Sequence, residues 1–146
     1  MSLSFDFSED QIMMRDAIQT FCKEEIAPLV EEAEKTESFP LELYPKLAEM
    51  GLLGICFEEK YGGLGLDKVT QCILAEELGK TCAGIAKGIA AHVDLGSLPV
   101  AKFGTEEQKQ KYLVPSIAGE MIGALAITEP NAGTDARSIK TNAVKD

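Results

Sequence analysis

Apolar residues recur at helical spacing along most of the chain, interrupted mainly by glycine and proline. Met14, Ile18, Phe21, Cys22, Ile26, Leu29, Val30 and Ala33 form one such stripe, and Ser8 with Gln11 makes the capping-box pattern that starts it. Pro28 lies inside the stripe, which predicts a kink there or a break into two helices. A second helix is predicted from near Pro40, with Leu43, Leu47 and Met50 inward and Gly51 as its C-terminal stop. Residues 51–66, carrying Gly51, Gly54, Gly62, Gly63 and Gly65, read as an irregular connection. Asp67 can cap the next helix, which presents Val69, Ile73, Leu74 and Leu78 and is predicted to end at Gly79. A helix rich in small residues follows over 83–95. Thr105 with Gln108 then repeats the capping box, and Tyr112, Leu113 and Ile117 supply an inward face.

The texture changes after Gly119. Residues 121–128 are almost wholly apolar and read as a buried strand, and a turn-rich stretch follows over 129–138. Residues 139–144 alternate only loosely, a weaker strand signal. The expected fold is therefore mainly α: an N-terminal helical bundle over 1–120, then the first strands of a truncated β domain over 121–146. Two strands make a marginal sheet on their own, so the chain reads as cut rather than complete.

Composition narrows the function. At 146 residues, with 45% hydrophobic and 26% charged, the chain has the make-up of a soluble globular domain. A net charge of −10 argues against nucleic acid and anionic membrane as partners, and no apolar run is long enough to span a bilayer. The four cysteines, Cys22, Cys56, Cys72 and Cys82, lack metal-site or disulfide-scaffold spacing and read as reduced packing residues. With a single histidine, His92, preceded three positions earlier by Ile89, neither a zinc site nor a four-helix di-iron site is expected. His92 itself reads as a hydrogen-bonded packing residue, and Glu31, Glu32, Glu34 and Glu37 as a solvated face.

The richest chemistry lies in Thr128-Glu129-Pro130-Asn131-Ala132-Gly133-Thr134-Asp135. Here the end of a predicted strand enters a turn that offers backbone amides and threonine hydroxyls. Gly133 lets a ligand approach the main chain, and Thr134 adds a donor beside it. Such a turn suits a phosphate or the polar edge of a cofactor. Equally, it suits a plain capped turn in which Asp135 bonds its own backbone. The glycines at 62, 63 and 65 lack the lysine and spacing of a phosphate loop and read as a turn.

The same segment resembles the first signature of the acyl-CoA dehydrogenase family, a Thr-Glu-Pro-x-x-Gly-Ser/Thr-Asp core matched at Thr128, Glu129, Pro130, Gly133, Thr134 and Asp135. Asn131 stands where glycine is commoner, and Thr134 where serine is commoner. Upstream, Gly62-Gly63-Leu64-Gly65, Glu76-Glu77-Leu78-Gly79, and the run from His92 through Gly104-Thr105-Glu106-Glu107-Gln108 and Tyr112-Leu113 are similar to the family in the same order. The resemblance spans nearly the whole chain, from about Phe5 to Asp146.

This resemblance implies an FAD-dependent enzyme that oxidises the α,β bond of an acyl-CoA thioester, with a carboxylate taking the Cα proton and the flavin accepting hydride from Cβ. Leu125 and Ile127 would contact the flavin, and Thr128 would bond its pyrimidine edge. Gly133 and Thr134 would meet the phosphate-ribityl part, and Thr134 would also touch the CoA substrate. No catalytic base is expected in this chain, because the family's glutamate lies in a later domain; Glu129 reads as structural. The small residues of 83–95, Gly84 and Gly88 among them, would wall the acyl pocket, whereas Lys87 reads as solvent-facing. Implied partners are the acyl-CoA, an electron-transferring flavoprotein and further copies of the intact chain, in the cytoplasm or the mitochondrial matrix. Two alternatives remain open from sequence: a non-catalytic helical interaction fragment, and an acyl-CoA oxidase.

Overall fold

The computed structural model describes residues 6–145, so the outermost ends of the two expected domains, residues 1–5 and Asp146, lie outside the described residues. Four helical rods dominate. The first comprises α1 (Glu9–Phe21), a π-helical turn (Cys22–Ile26) and α2 (Ala27–Thr36), with α3 (Leu43–Glu49) folding back after it. α4 (Lys68–Thr81) packs against α1 on one side and α5 (Ala83–Ala90) on the other. α5 continues through a second π-helical stretch (Ala91–Ser97) into α6 (Leu98–Phe103). The last rod is α7 (Glu106–Gln108), a third π turn (Lys109–Leu113) and α8 (Val114–Ile117).

Local chemistry places the ends of these helices. In both predicted capping boxes the bonds run both ways: Ser8 Oγ accepts from Gln11 N and Gln11 Oε1 from Ser8 N, with the same exchange between Thr105 and Gln108. Asp67 Oδ1 accepts from Thr70 N at 2.8 Å and from the Thr70 hydroxyl, as its capping position requires. These hydrogen bonds hold the Asp67 carboxyl below the ordinary carboxylate range. Gly51, with φ of +72°, closes α3 in the left-handed conformation that glycine adopts freely.

Two differences from the sequence expectation concern helix ends. The helix does not end at Gly79; α4 runs on to Thr81, its last turn tied by Lys80 to Glu76 and Glu77. The helix expected over 83–95 extends to Phe103. At Pro28 the interruption takes the form of a π turn just upstream, with helical structure continuous on both sides of it. The same arrangement recurs at Pro99 and Pro115. A proline ring collides with the carbonyl four residues before it. Glu24, Leu95 and Lys111 carry those carbonyls, and each lies inside a π stretch, where the wider turn moves the carbonyl aside.

Ile18, Ile26, Leu43, Leu47, Leu52, Leu53, Ile55, Ile89 and Leu113 are fully buried in one core. The connection over 51–66 is irregular as expected but belongs to that core, since Leu52, Leu53, Ile55, Phe57 and Tyr61 all turn inward. The Tyr61 hydroxyl donates to Glu106 at 2.8 Å and so fastens the connection to α7. The cysteines are unbridged. Cys22 and Cys82 are buried, and burial pushes the Cys22 thiol up, which keeps it unreactive. Cys72 differs from the packing expectation: it is exposed.

The expected strands are not formed among the described residues. Residues 121–128 have no ladder partner, and the one β-bridge, Glu129 with Ala132, closes a turn. Nor is 121–128 buried, with Leu125 47% and Ile127 46% exposed. An apolar run becomes a buried strand only when a neighbour supplies both hydrogen bonds and a covering face.

Candidate functional site

The site begins where the chain leaves the helical bundle. Glu120 N and Met121 N both bond to Pro115 O, at 2.9 and 3.2 Å. Gly123 N then donates to His92 Nδ1 at 2.9 Å. His92 Nε2 lies 3.1 Å from Ser116 O. Because Nδ1 accepts, the proton of the neutral ring resides on Nε2 and is donated to that carbonyl. His92 is 1% exposed, and its ring meets Tyr44 edge-on with centroids 5.2 Å apart. Burial holds the ring below its ordinary value of 6.5, with the Ser116 bond acting in the opposite direction. The expectation of a hydrogen-bonded packing histidine is met. Its two partners, 24 and 31 residues away in sequence, were not legible in advance.

Gly96 and Gly123 let the two backbones cross beside this ring. A Cβ at Gly96 would lie 2.4 Å from the Gly123 carbonyl carbon, which no side chain tolerates. From there the chain runs outward, and Leu125 and Ile127 stand exposed along it. Glu129 N donates to Ala132 O at 2.8 Å and Ala132 N to Glu129 O at 3.2 Å, so Pro130 and Asn131 form the corner of a tight turn. The Glu129 carboxylate accepts from Lys140 N at 3.0 Å, from Thr141 N at 2.8 Å and from the Thr141 hydroxyl. These bonds hold it below the ordinary carboxylate range and commit it to the backbone. Glu129 thus fastens the 140–141 backbone to the turn.

The turn brings Thr128 and Gly133 together: a Cβ at Gly133 would meet nothing nearer than Thr128 Cγ2, at 3.8 Å. Thr134 follows, its carbonyl accepting from Ala136 N at 3.1 Å, while Asp135 caps the next turn through Arg137 N at 3.2 Å. The plain capped turn is therefore present. It does not consume the donors, however. Among the described residues no hydrogen bond engages the amides or hydroxyls of Thr128 and Thr134, or the Gly133 amide. These donors share an exposed, sterically open patch, and such a set suits an anionic or carbonyl-rich ligand.

Two residues of 83–95 are also placed. Lys87 is exposed, and the space left by Gly88 is taken by the Phe39 ring, which a Cβ there would approach to 2.3 Å. Gly88 thus accommodates a side chain of α3's approach rather than an open pocket. Among the described residues no helix is long and apolar enough to cross a membrane.

Residues 8–120 match the family model described as the acyl-CoA dehydrogenase N-terminal domain. The chain belongs to the acyl-CoA dehydrogenase family. A probable acyl-CoA dehydrogenase of Bacillus subtilis is 42% identical over 144 residues, covering 99% of this chain and 38% of that protein. Among solved structures, an acyl-CoA dehydrogenase from Bacillus anthracis complexed with FAD aligns with a TM-score of 0.86 at 42% identity, over 92% of this chain and 23% of the other. Butyryl-CoA dehydrogenase of Megasphaera elsdenii aligns with a TM-score of 0.84 at 39% identity, over 92% of this chain and 36% of the other. The chain thus spans well under half the length of the relatives it matches.

Proposed function

We propose that this chain contributes the helical domain, residues 1–120, and the opening of the flavin site, residues 121–146, to an FAD-dependent acyl-CoA dehydrogenase. The observation that carries the reading is the open patch of uncommitted donors at Thr128, Gly133 and Thr134, inside a segment matching the family signature. When bound, FAD supplies the hydride acceptor for oxidation of the Cα–Cβ bond of a CoA thioester.

The residues present fit such a group. The Thr128 hydroxyl and amide would donate to its pyrimidine edge, where negative charge grows as the ring is reduced; donors already aimed there need no reorganisation during the reaction. The Gly133 and Thr134 amides would hold the phosphate-ribityl part, which approaches closely because Gly133 has no side chain. Leu125 and Ile127, exposed along the lead-in, would pack against the ring and keep water from it. Thr134 would also contact the acyl-CoA. No residue of this chain is assigned as the base that takes the Cα proton, since Glu129 is held by 140–141. An electron-transferring flavoprotein as acceptor, self-association, and a cytoplasmic or mitochondrial-matrix setting complete the proposal.

FAD binding is the test. FAD is titrated into the purified chain and into the product of the whole coding region, and the flavin absorbance band is followed. The expected outcome is a shifted, structured band with the latter and weaker binding by the chain alone. A colourless protein in both cases removes the flavin reading and leaves a helical interaction module. A flavin that is bound but reoxidised rapidly by oxygen during turnover would point to an oxidase.

A further inference from the structure

Deepening the flavin reading and resting on it, we propose that His92 is a positioning residue for the cofactor-facing segment: its imidazole holds Gly123 and thereby sets where Leu125, Ile127 and Thr128 leave the bundle. Beyond Gly123, no hydrogen bond ties residues 124–128 to the helices among the described residues. The bond from Gly123 to His92 is thus the last such anchor before Thr128. Thr128 lies five positions beyond Gly123, up to about 17 Å of chain, so a small tilt at Gly123 becomes a displacement of several ångströms at Thr128.

A residue that merely filled space would not need both ring nitrogens, and here both are used. Nδ1 accepts from Gly123 and Nε2 donates to Ser116 on α8, so one ring joins the root of the segment to the end of the last helix. Tyr44 fixes the ring plane from α3, and the Gly96–Gly123 crossing fixes the depth at which the segment passes. The π stretch Ala91–Ser97 carries both His92 and Gly96, which makes that irregular turn part of the device.

The clasp also has a defined response to acid. Protonation turns Nδ1 into a donor facing the Gly123 donor, and the bond is lost. Tyr44 is the titratable side chain in recorded contact with the ring among the described residues; Asp94, on the ring's own stretch, turns instead to Gln71 and lies near Lys68. A ring held below its ordinary 6.5 contributes stability that is complete above that pH. As pH falls below it, the released form takes up protons first, so the contribution shrinks until the held ring itself titrates.

Amide exchange by NMR on the chain, with FAD affinity on the whole coding-region product, tests the proposal. His92→Phe keeps the ring and removes both bonds; His92→Asn restores an acceptor near the Nδ1 position. In folded His92→Phe, Gly123 exchange is expected to rise and FAD affinity to fall, each about tenfold, with His92→Asn recovering part of both. In the unaltered chain, Gly123 protection should fall in step with the titration of His92. Unchanged Gly123 protection in folded His92→Phe, or through the wild-type titration, overturns the clasp. Release of Gly123 with unchanged FAD affinity overturns the positioning role alone. Absence of FAD binding by the unaltered protein overturns the flavin reading and the positioning role with it, while Gly123 still reports the clasp. Should His92→Phe fail to fold, the wild-type titration decides.

Discussion

Gly63→Ala is expected to destabilise the chain by about 3 kcal/mol, at the upper end of what an inserted methyl group costs in a packed interior. A Cβ at Gly63 would lie 2.1 Å from the Phe57 carbonyl oxygen, 2.5 Å from its carbonyl carbon and 2.8 Å from its Cβ. Two of those atoms are backbone, so no side-chain rotation relieves the contact. Phe57 O also accepts from Gly65 N, and Gly54 O from Leu64 N, so moving either strand of the connection strains bonds of 2.9 Å. Leu53, Ile55 and Phe57 would shift with it, and all three are buried in the core. Gly79→Ala is the matched control with the opposite sign. Its Cβ would meet nothing within 4 Å, and alanine in a helix interior is favoured over glycine by about 1 kcal/mol. Urea unfolding followed by circular dichroism reads both. Equal midpoints for Gly63→Ala and the parent would show that the connection is not closely packed.

The second large effect concerns the cofactor. Thr128→Val is expected to weaken FAD binding by the coding-region product about 10- to 100-fold, the range for a hydrogen bond to a group carrying charge. Valine has nearly the same shape, and no hydrogen bond of the chain engages the Thr128 hydroxyl among the described residues, so folding should be unaffected. Thr36→Val serves as comparison: its hydroxyl donates to Glu32 O on the exposed face of α2, far from the signature in sequence, and FAD affinity should hold. An unchanged dissociation constant for Thr128→Val, with a normal unfolding midpoint, would remove Thr128 from the site. The measurement separates a ligand-facing threonine from one that merely borders a turn.

What was readable beforehand divides along the range of the interactions. Both capping boxes and the Asp67 cap depend on residues three positions apart, and each is found in place. The glycine turn at 62–65 is likewise local, and the left-handed φ at Gly62 and Gly65 requires glycine. The signature segment stands out in the sequence for its donors, and in the fold Thr128, Gly133 and Thr134 are exposed residues. Misreadings arose where local preference lost to a distant partner or lacked one. Gly79 is a reasonable stop by propensity, yet the helix continues because Leu78 O still receives the Cys82 amide and Lys80 ties the last turn to Glu76 and Glu77. Residues 121–128 are apolar enough for a buried strand, but no strand lies beside them among the described residues.

Sequence alone therefore determined a helical chain with defined starts, a glycine-built connection, a donor-bearing turn and membership of a flavoenzyme family's pattern. Tertiary structure decided how three prolines fit within helices through π turns, which threonine and glycine donors remain uncommitted, and what His92 holds. The reason is physical. Caps and turns are satisfied within a few residues of chain, whereas the acceptor that Gly123 meets lies 31 residues away in the π stretch between α5 and α6, and only packing brings it within 2.9 Å.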